Sequence, residues 1–152
     1  MHANRRVVLS VAGLSALAMA APTSAAEDNA ANKATAERFV NEVLNGRNFG
    51  VMDEIVSPEY ESQNPDDAPG RDAYKTRLSQ KLEFDGYMVE NMTHSIEDMA
   101  VRSPNVFVRG YVTGTSTGGK KVNAVYFIQF RFRDGMIVTD WMLRDEIAMM
   151  GL

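Results

Sequence analysis

The chain has 152 residues, 45% of them apolar, with 16 basic and 20 acidic side chains and a formal net charge of −4. That acidic balance argues against nucleic acid and anionic membrane surfaces, both of which select basic patches. There is no cysteine, which excludes disulfides, thiolate metal sites and thiol nucleophiles.

Arg5 and Arg6 precede an uncharged apolar run, Val7 to Ala21, and Ser24-Ala25-Ala26 supplies small residues before Glu27-Asp28. The pattern predicts a cleaved export signal over residues 1–26, the apolar run being short for a membrane span. The general secretory route is favoured over the twin-arginine route, because paired arginines are common in ordinary signal n-regions. The mature protein is then expected in the periplasm or outside the cell, with no membrane contact. Loss of the two arginines takes its net charge from −4 to −6. It retains one of the two histidines, His94, so a multi-histidine metal site within one chain is not expected. Several of the ten methionines fall in the core pattern and are read as gap-fillers.

Residues 27–32 form a polar lead-in and 33–152 a single domain. A first helix is predicted from about Lys33 to Asn45, with Ala36, Phe39, Val40, Val43 and Leu44 on one face. Asn45-Gly46 stops it. A short helix spans Phe49 to Val56 and ends at Ser57-Pro58. Tyr60 to Gly70 is a loop. A third helix, Arg71 to Phe84, carries Tyr74, Leu78 and Leu82 four residues apart, and Asp85-Gly86 closes it.

The period then changes to two. Strands are predicted over Val89–Val101, Val106–Thr115, Lys121–Arg133 and Met136–Asp145. Asp134-Gly135 joins the last two as a tight hairpin. Val122, Ala124, Tyr126, Ile128, Phe130 and Phe132 form a core face. The opposite face (Val125, Phe127, Gln129, Arg131) suits a pocket wall or a dimer surface. Gly110 and Gly114 are read as bulges in a curved sheet. Three helices followed by four antiparallel strands give an α+β fold, a cone-shaped sheet wrapped around the helices with a cavity between them.

Three segments carry a resemblance to a known family. They are Tyr60-Glu61-Ser62-Gln63-Asn64-Pro65 followed by Gly70-Arg71-Asp72-Ala73-Tyr74; Phe130 to Val138 around Asp134-Gly135; and Trp141 with Asp145. Together they resemble the SnoaL-like polyketide cyclase family within the nuclear transport factor 2-like and ketosteroid isomerase-like superfamily. The resemblance implies a ligand pocket and cyclase, aldol or isomerase-like chemistry without an organic cofactor. Many relatives carry His before the Asn-Pro pair. Gln63 stands there in this chain, and a neutral amide cannot shuttle a proton. Thr139 occupies a position often held by Glu.

Asp145 shares parity with Ile137, Thr139 and Trp141 if the last strand stays regular. A carboxylate beside an indole in a low-dielectric pocket would act as general acid or base. The alternative is a cap on the segment Glu146–Met150. His94, flanked at spacing two by Met92 and Ile96, is a second catalytic candidate or else a satisfied core histidine. Tyr60, Gln63, Asn64 and Trp141 are the candidate ligand contacts. The expected ligand is a small, largely apolar, carbonyl-bearing molecule. The alternatives are a non-catalytic carrier, or a scaffold that homodimerises through the outer sheet face with a vestigial pocket.

Overall fold

The computed structural model describes residues 23–151. The expected export segment lies outside the described residues apart from Thr23–Ala26, which begin a helix. That helix, α1 (Thr23–Arg38), includes the stretch 27–32 expected as a lead-in. Alanines at 25, 26, 30, 31 and 34 favour helix strongly enough to carry it ten residues upstream of the start expected at Lys33. It continues as a wider π-helical segment, Phe39–Asn45, which buries Phe39, Val40, Val43 and Leu44. A 3₁₀ turn, Phe49–Val51, leads into the short α2 (Met52–Ile55).

Helix α3 (Arg71–Met88) runs through Asp85-Gly86, where the sequence predicted its end. Asp85 does not bond back to the local backbone, the usual reason Asp weakens a helix. Its carboxylate is claimed instead by Arg144, in a bidentate pair at 2.6 and 3.0 Å.

Four strands follow: β1 (Val89–Arg102), β2 (Asn105–Ser116), β3 (Lys121–Arg133) and β4 (Met136–Arg144), in antiparallel order β1-β2-β3-β4. A final turn of helix, α4, spans Glu146–Met149. The β3–β4 turn has the expected primed geometry, with φ of 51° at Asp134 and 74° at Gly135. Two irregularities bend β1 over β2, and each faces a glycine. A Cβ at Gly110 would sit 1.8 Å from the Ser95 carbonyl oxygen, and one at Gly114 would meet Val89 and Glu90 at 2.5 and 2.7 Å. Only glycine permits that approach, and the sheet curves there.

The curved sheet packs its inner face on the helices. Phe39 meets Phe130 edge-on at 5.1 Å and lies parallel to Tyr74 at 6.3 Å. Val122, Ala124, Tyr126, Ile128, Phe130 and Phe132 are all buried, as their alternation predicts. None of the described helices is long and apolar enough to cross a membrane.

The Arg144–Asp85 pair locks the end of β4 onto α3, both side chains being about 95% removed from solvent. Breaking a buried pair strands the surviving charge. Asp85→Ala is therefore expected to cost about 3 kcal/mol, read as a lower urea midpoint. The double replacement Asp85→Leu with Arg144→Met should cost markedly less. Equal losses in the two would show that the pair itself contributes nothing.

Candidate functional site

The site begins with one extra residue in β4. Arg133 faces Met136 and Phe132 faces Ile137, but Arg131 faces Thr139, so Val138 has no partner on β3. A one-residue insertion exchanges the two faces of everything beyond it. Ile137 is in the core. Past the bulge, Asp140, Met142 and Arg144 pair with Phe130, Ile128 and Tyr126 and share their inner face. Thr139, Trp141 and Leu143 turn outward.

The bulge also anchors the loop before α3. The Ser57 amide donates to the Ile137 carbonyl and the Glu61 amide to the Val138 carbonyl, both at 2.9 Å. Between these two contacts sits Tyr60. Its carbonyl accepts from the Gly70 amide at 2.7 Å, and Gly70, at a φ of 94°, starts α3 four residues before Tyr74. Tyr60 and Tyr74 thus stack face to face, centroids 4.1 Å apart and planes within 5°.

The Tyr60 hydroxyl donates to Asp140 Oδ1 at 2.5 Å. The Tyr74 hydroxyl lies near enough to the same carboxylate to favour its ionised form. Desolvation raises the Asp140 pKa above the usual carboxylate range, while the Tyr60 and Tyr74 hydroxyls and the nearby Arg77 charge oppose the rise. Burial, and then the charge of Asp140, push both tyrosine hydroxyls upward, so they stay protonated donors. The result is a desolvated carboxylate with one neutral donor, Tyr60, hydrogen-bonded to it, a second tyrosine nearby and no lysine or arginine bonded to it among the described residues.

This cluster lies at the wall of a cleft of about 560 Å³. Four residues predicted from sequence line it: Tyr60, Gln63, Asn64 and Trp141. Gln63 donates to Thr139 Oγ1 at 2.8 Å, and Asn64 is tied to Asp67 and Asp66 within the loop. Tyr74, Arg77, Leu78, Lys81, Asp140 and Met142 join them. Trp141 differs from expectation in facing outward, 54% exposed, at the rim where the cleft meets the outer sheet.

Asp145 and His94 are corrected. Asp145 is exposed and caps α4, its Oδ1 accepting from the Ala148 amide at 3.0 Å. The regular-strand parity that aimed it inward fails at Val138. His94 does point inward, but it lines no part of the cleft. Asn45 brackets its backbone, accepting from the His94 amide at 2.7 Å and donating to its carbonyl at 2.8 Å. The imidazole stands edge-on to Tyr126. Burial, with Arg144 and Arg47 nearby, pushes its pKa down to about 4.

Asp140 and Tyr74 were not read from sequence as site residues. Tyr74 looked like one more member of an apolar stripe. For Asp140 a signal existed: Ile137-Val138 is an adjacent apolar pair that breaks the period of two, as a bulge does. Among the described residues, no group of three or more His, Asp or Glu side chains could hold a metal ion.

Comparison with known proteins places these features in a family context. A family model described as SnoaL-like polyketide cyclase matches residues 34–151. TsrD from Streptomyces laurentii superposes with a TM-score of 0.66 at 18% identity, covering 81% of this chain and 97% of that one. A SnoaL-like polyketide cyclase from Agrobacterium tumefaciens gives 0.62 at 16% identity, covering 77% and 93%. At such identities the likeness establishes the fold alone. No curated protein matches the chain.

The corrected role of His94 carries a pH dependence. An unfolded histidine protonates near its ordinary value of 6.5, whereas the folded one resists protonation until about pH 4. Between those values the unfolded chain binds more protons, so stability falls as pH drops, by up to about 1.4 kcal/mol per pH unit. Urea melts at pH 7 and pH 5 should lose less stability in His94→Gln than in the parent. Identical losses would contradict a buried neutral imidazole.

Proposed function

The chain belongs to the SnoaL-like polyketide cyclase family, and we propose that its cleft binds a small, largely apolar carbonyl compound on which Asp140 moves a proton. The single observation behind this reading is the desolvated Asp140 carboxylate held by Tyr60 at 2.5 Å in a cleft of about 560 Å³. A carboxylate whose pKa is raised above the usual carboxylate range is, in its ionised form, a better base than one in water.

In the proposed step, Asp140 takes a proton from the carbon beside the ligand carbonyl. The C–H bond breaks, its electron pair forms the enolate, and the oxygen takes the charge. The proton then returns from Asp140 to carbon; alternatively the enolate carbon attacks a second carbonyl, whose π pair moves to its oxygen as a ring closes, and that alkoxide takes the proton back from Asp140. Tyr60 holds the carboxylate in place, and its hydrogen bond favours the ionised form against desolvation. Leu78, Met142 and Trp141 offer the apolar wall. No step assigned to these residues draws on an organic cofactor or on Gln63 as an acid or base. The proposed setting is the periplasm or the outside of the cell, after removal of residues 1–26.

The exposed outer sheet supports a second proposal, a homodimer. Phe107, Phe127, Trp141 and Leu143 are 40–54% exposed on neighbouring strands and border a groove of about 400 Å³. Contiguous apolar surface of this kind usually meets a partner, and a copy of the same sheet offers the same surface. Phe127→Glu should convert the dimer to monomer in sedimentation. A variant that sediments like the parent dimer, or a parent that is already monomeric, refutes this interface.

Proton transfer is tested by α-proton exchange of 2-tetralone in D₂O, followed by NMR. The parent should accelerate exchange over buffer, the rate rising with pH as Asp140 ionises. Asp140→Asn should lower it by roughly 100-fold or more while leaving the fold intact. A ligand that binds but does not exchange would favour the carrier alternative.

A further inference from the structure

One cation at the cleft mouth is unused by the chemistry above. Helix α3 presents Tyr74, Arg77, Leu78 and Lys81 along the cleft, at spacings of three and four residues. The polar cluster of Asp140, Tyr60 and Tyr74 lies toward one end of this stripe. Lys81 lies seven residues further, about 10 Å along the helix axis. Leu78 lies between them on the helix, and Met142 follows Asp140 on the inner face of β4.

The two cations on the stripe differ in how they are engaged. Arg77 is committed to the protein: its Nε pairs with Asp67 at 3.1 Å, its Nη1 donates to the Ala68 carbonyl at 2.9 Å, and its guanidinium lies over the Tyr74 ring. Lys81 has a single acidic neighbour among the described residues, Asp85 at 3.9 Å. Both oxygens of that carboxylate are already taken by Arg144. Arg47, the third cation near Asp85, keeps a buried Nη1 with no hydrogen-bond partner. The region around Lys81 therefore carries more positive charge than its carboxylates answer. Of the two acids that line the cleft itself, Asp67 is paired with Arg77, and Asp140 lies at the far end of the stripe, beside Tyr74, rather than at Lys81.

We propose that Lys81 is the specificity residue for an anionic tail, so that the ligand is an amphiphilic keto acid. Its carbonyl sits at Asp140, an apolar body about 10 Å long lies along Leu78 and Met142, and a carboxylate pairs with Lys81. This deepens the proposed ligand-binding reading and rests on it. Half-exposed Lys81 gives a moderate and salt-sensitive preference.

Calorimetric titration with two matched probes tests it: 6-acetyl-2-naphthoate and the neutral 2-acetylnaphthalene. The parent should bind the acid roughly fivefold more tightly at low salt, in line with a partly exposed ion pair. The preference should shrink at 0.5 M NaCl. Lys81→Met should bring the ratio to about one, and Lys81→Arg should preserve it. Equal binding of the two probes by the parent, or a preference surviving in Lys81→Met, overturns the anionic subsite while leaving the cleft as a ligand site. Failure of both probes to bind overturns this proposal and the ligand-binding reading together.

Discussion

The unpaired residue Val138 in β4 is the constraint from which the site follows. Without it, β4 would continue the alternation set by Ile137 and present Thr139, Trp141 and Leu143 to the interior. With it, Asp140, Met142 and Arg144 face the core side and the aromatic residue faces out. The bulge is stabilised from outside the hairpin. Its two consecutive carbonyls, on Ile137 and Val138, accept from Ser57 and Glu61. Those same hydrogen bonds bring Tyr60 to Asp140, so the device that aims the carboxylate also delivers its partner.

The flip gives the interior two polar poles on one strand. At one pole Asp140 sits in the cleft with only the neutral Tyr60 hydroxyl bonded to it, and its charge is under-compensated. At the other, four residues along, Arg144 is fully engaged by Asp85 and Glu146 and ties β4 to α3. Saturation at Arg144 suits a structural lock, whereas incomplete compensation at Asp140 is the usual state of a group that does chemistry. Met142 lies between them on the same face. His94 belongs to the structural pole: close to Arg144 and Asp85, and held neutral by burial.

Much of the fold was legible because hydrophobic period and turn chemistry are local. The alternation from Val122 to Phe132 named the core face of β3, and Asp134-Gly135 named its turn. The glycines at 110 and 114 marked the bends of the sheet. The upstream extension of α1 was missed because its polar, alanine-rich turns lack an apolar face. The overrun of α3 was missed because it depends on Arg144, distant in sequence. In the cleft, Tyr60, Gln63, Asn64 and Trp141 were named through the resemblance, whereas Asp140 was hidden by an assumed regular strand. One uncounted residue moved the inward carboxylate from 145 to 140. A bulge is fixed by which neighbours claim its carbonyls, and nothing local to β4 specifies Ser57 and Glu61.

The most direct test is the ionisation of Asp140 itself, followed by ¹³C NMR of aspartate carboxyls and assigned by their loss in Asp140→Asn. A desolvated Asp140 should titrate above the ordinary aspartate range. Replacing Tyr60 with Phe removes a hydrogen bond that favours the ionised form, so it should raise that pKa further. If Asp140 titrates with the exposed carboxylates and ignores the loss of the Tyr60 hydroxyl, then β4 does not turn it into the cleft and the account is wrong.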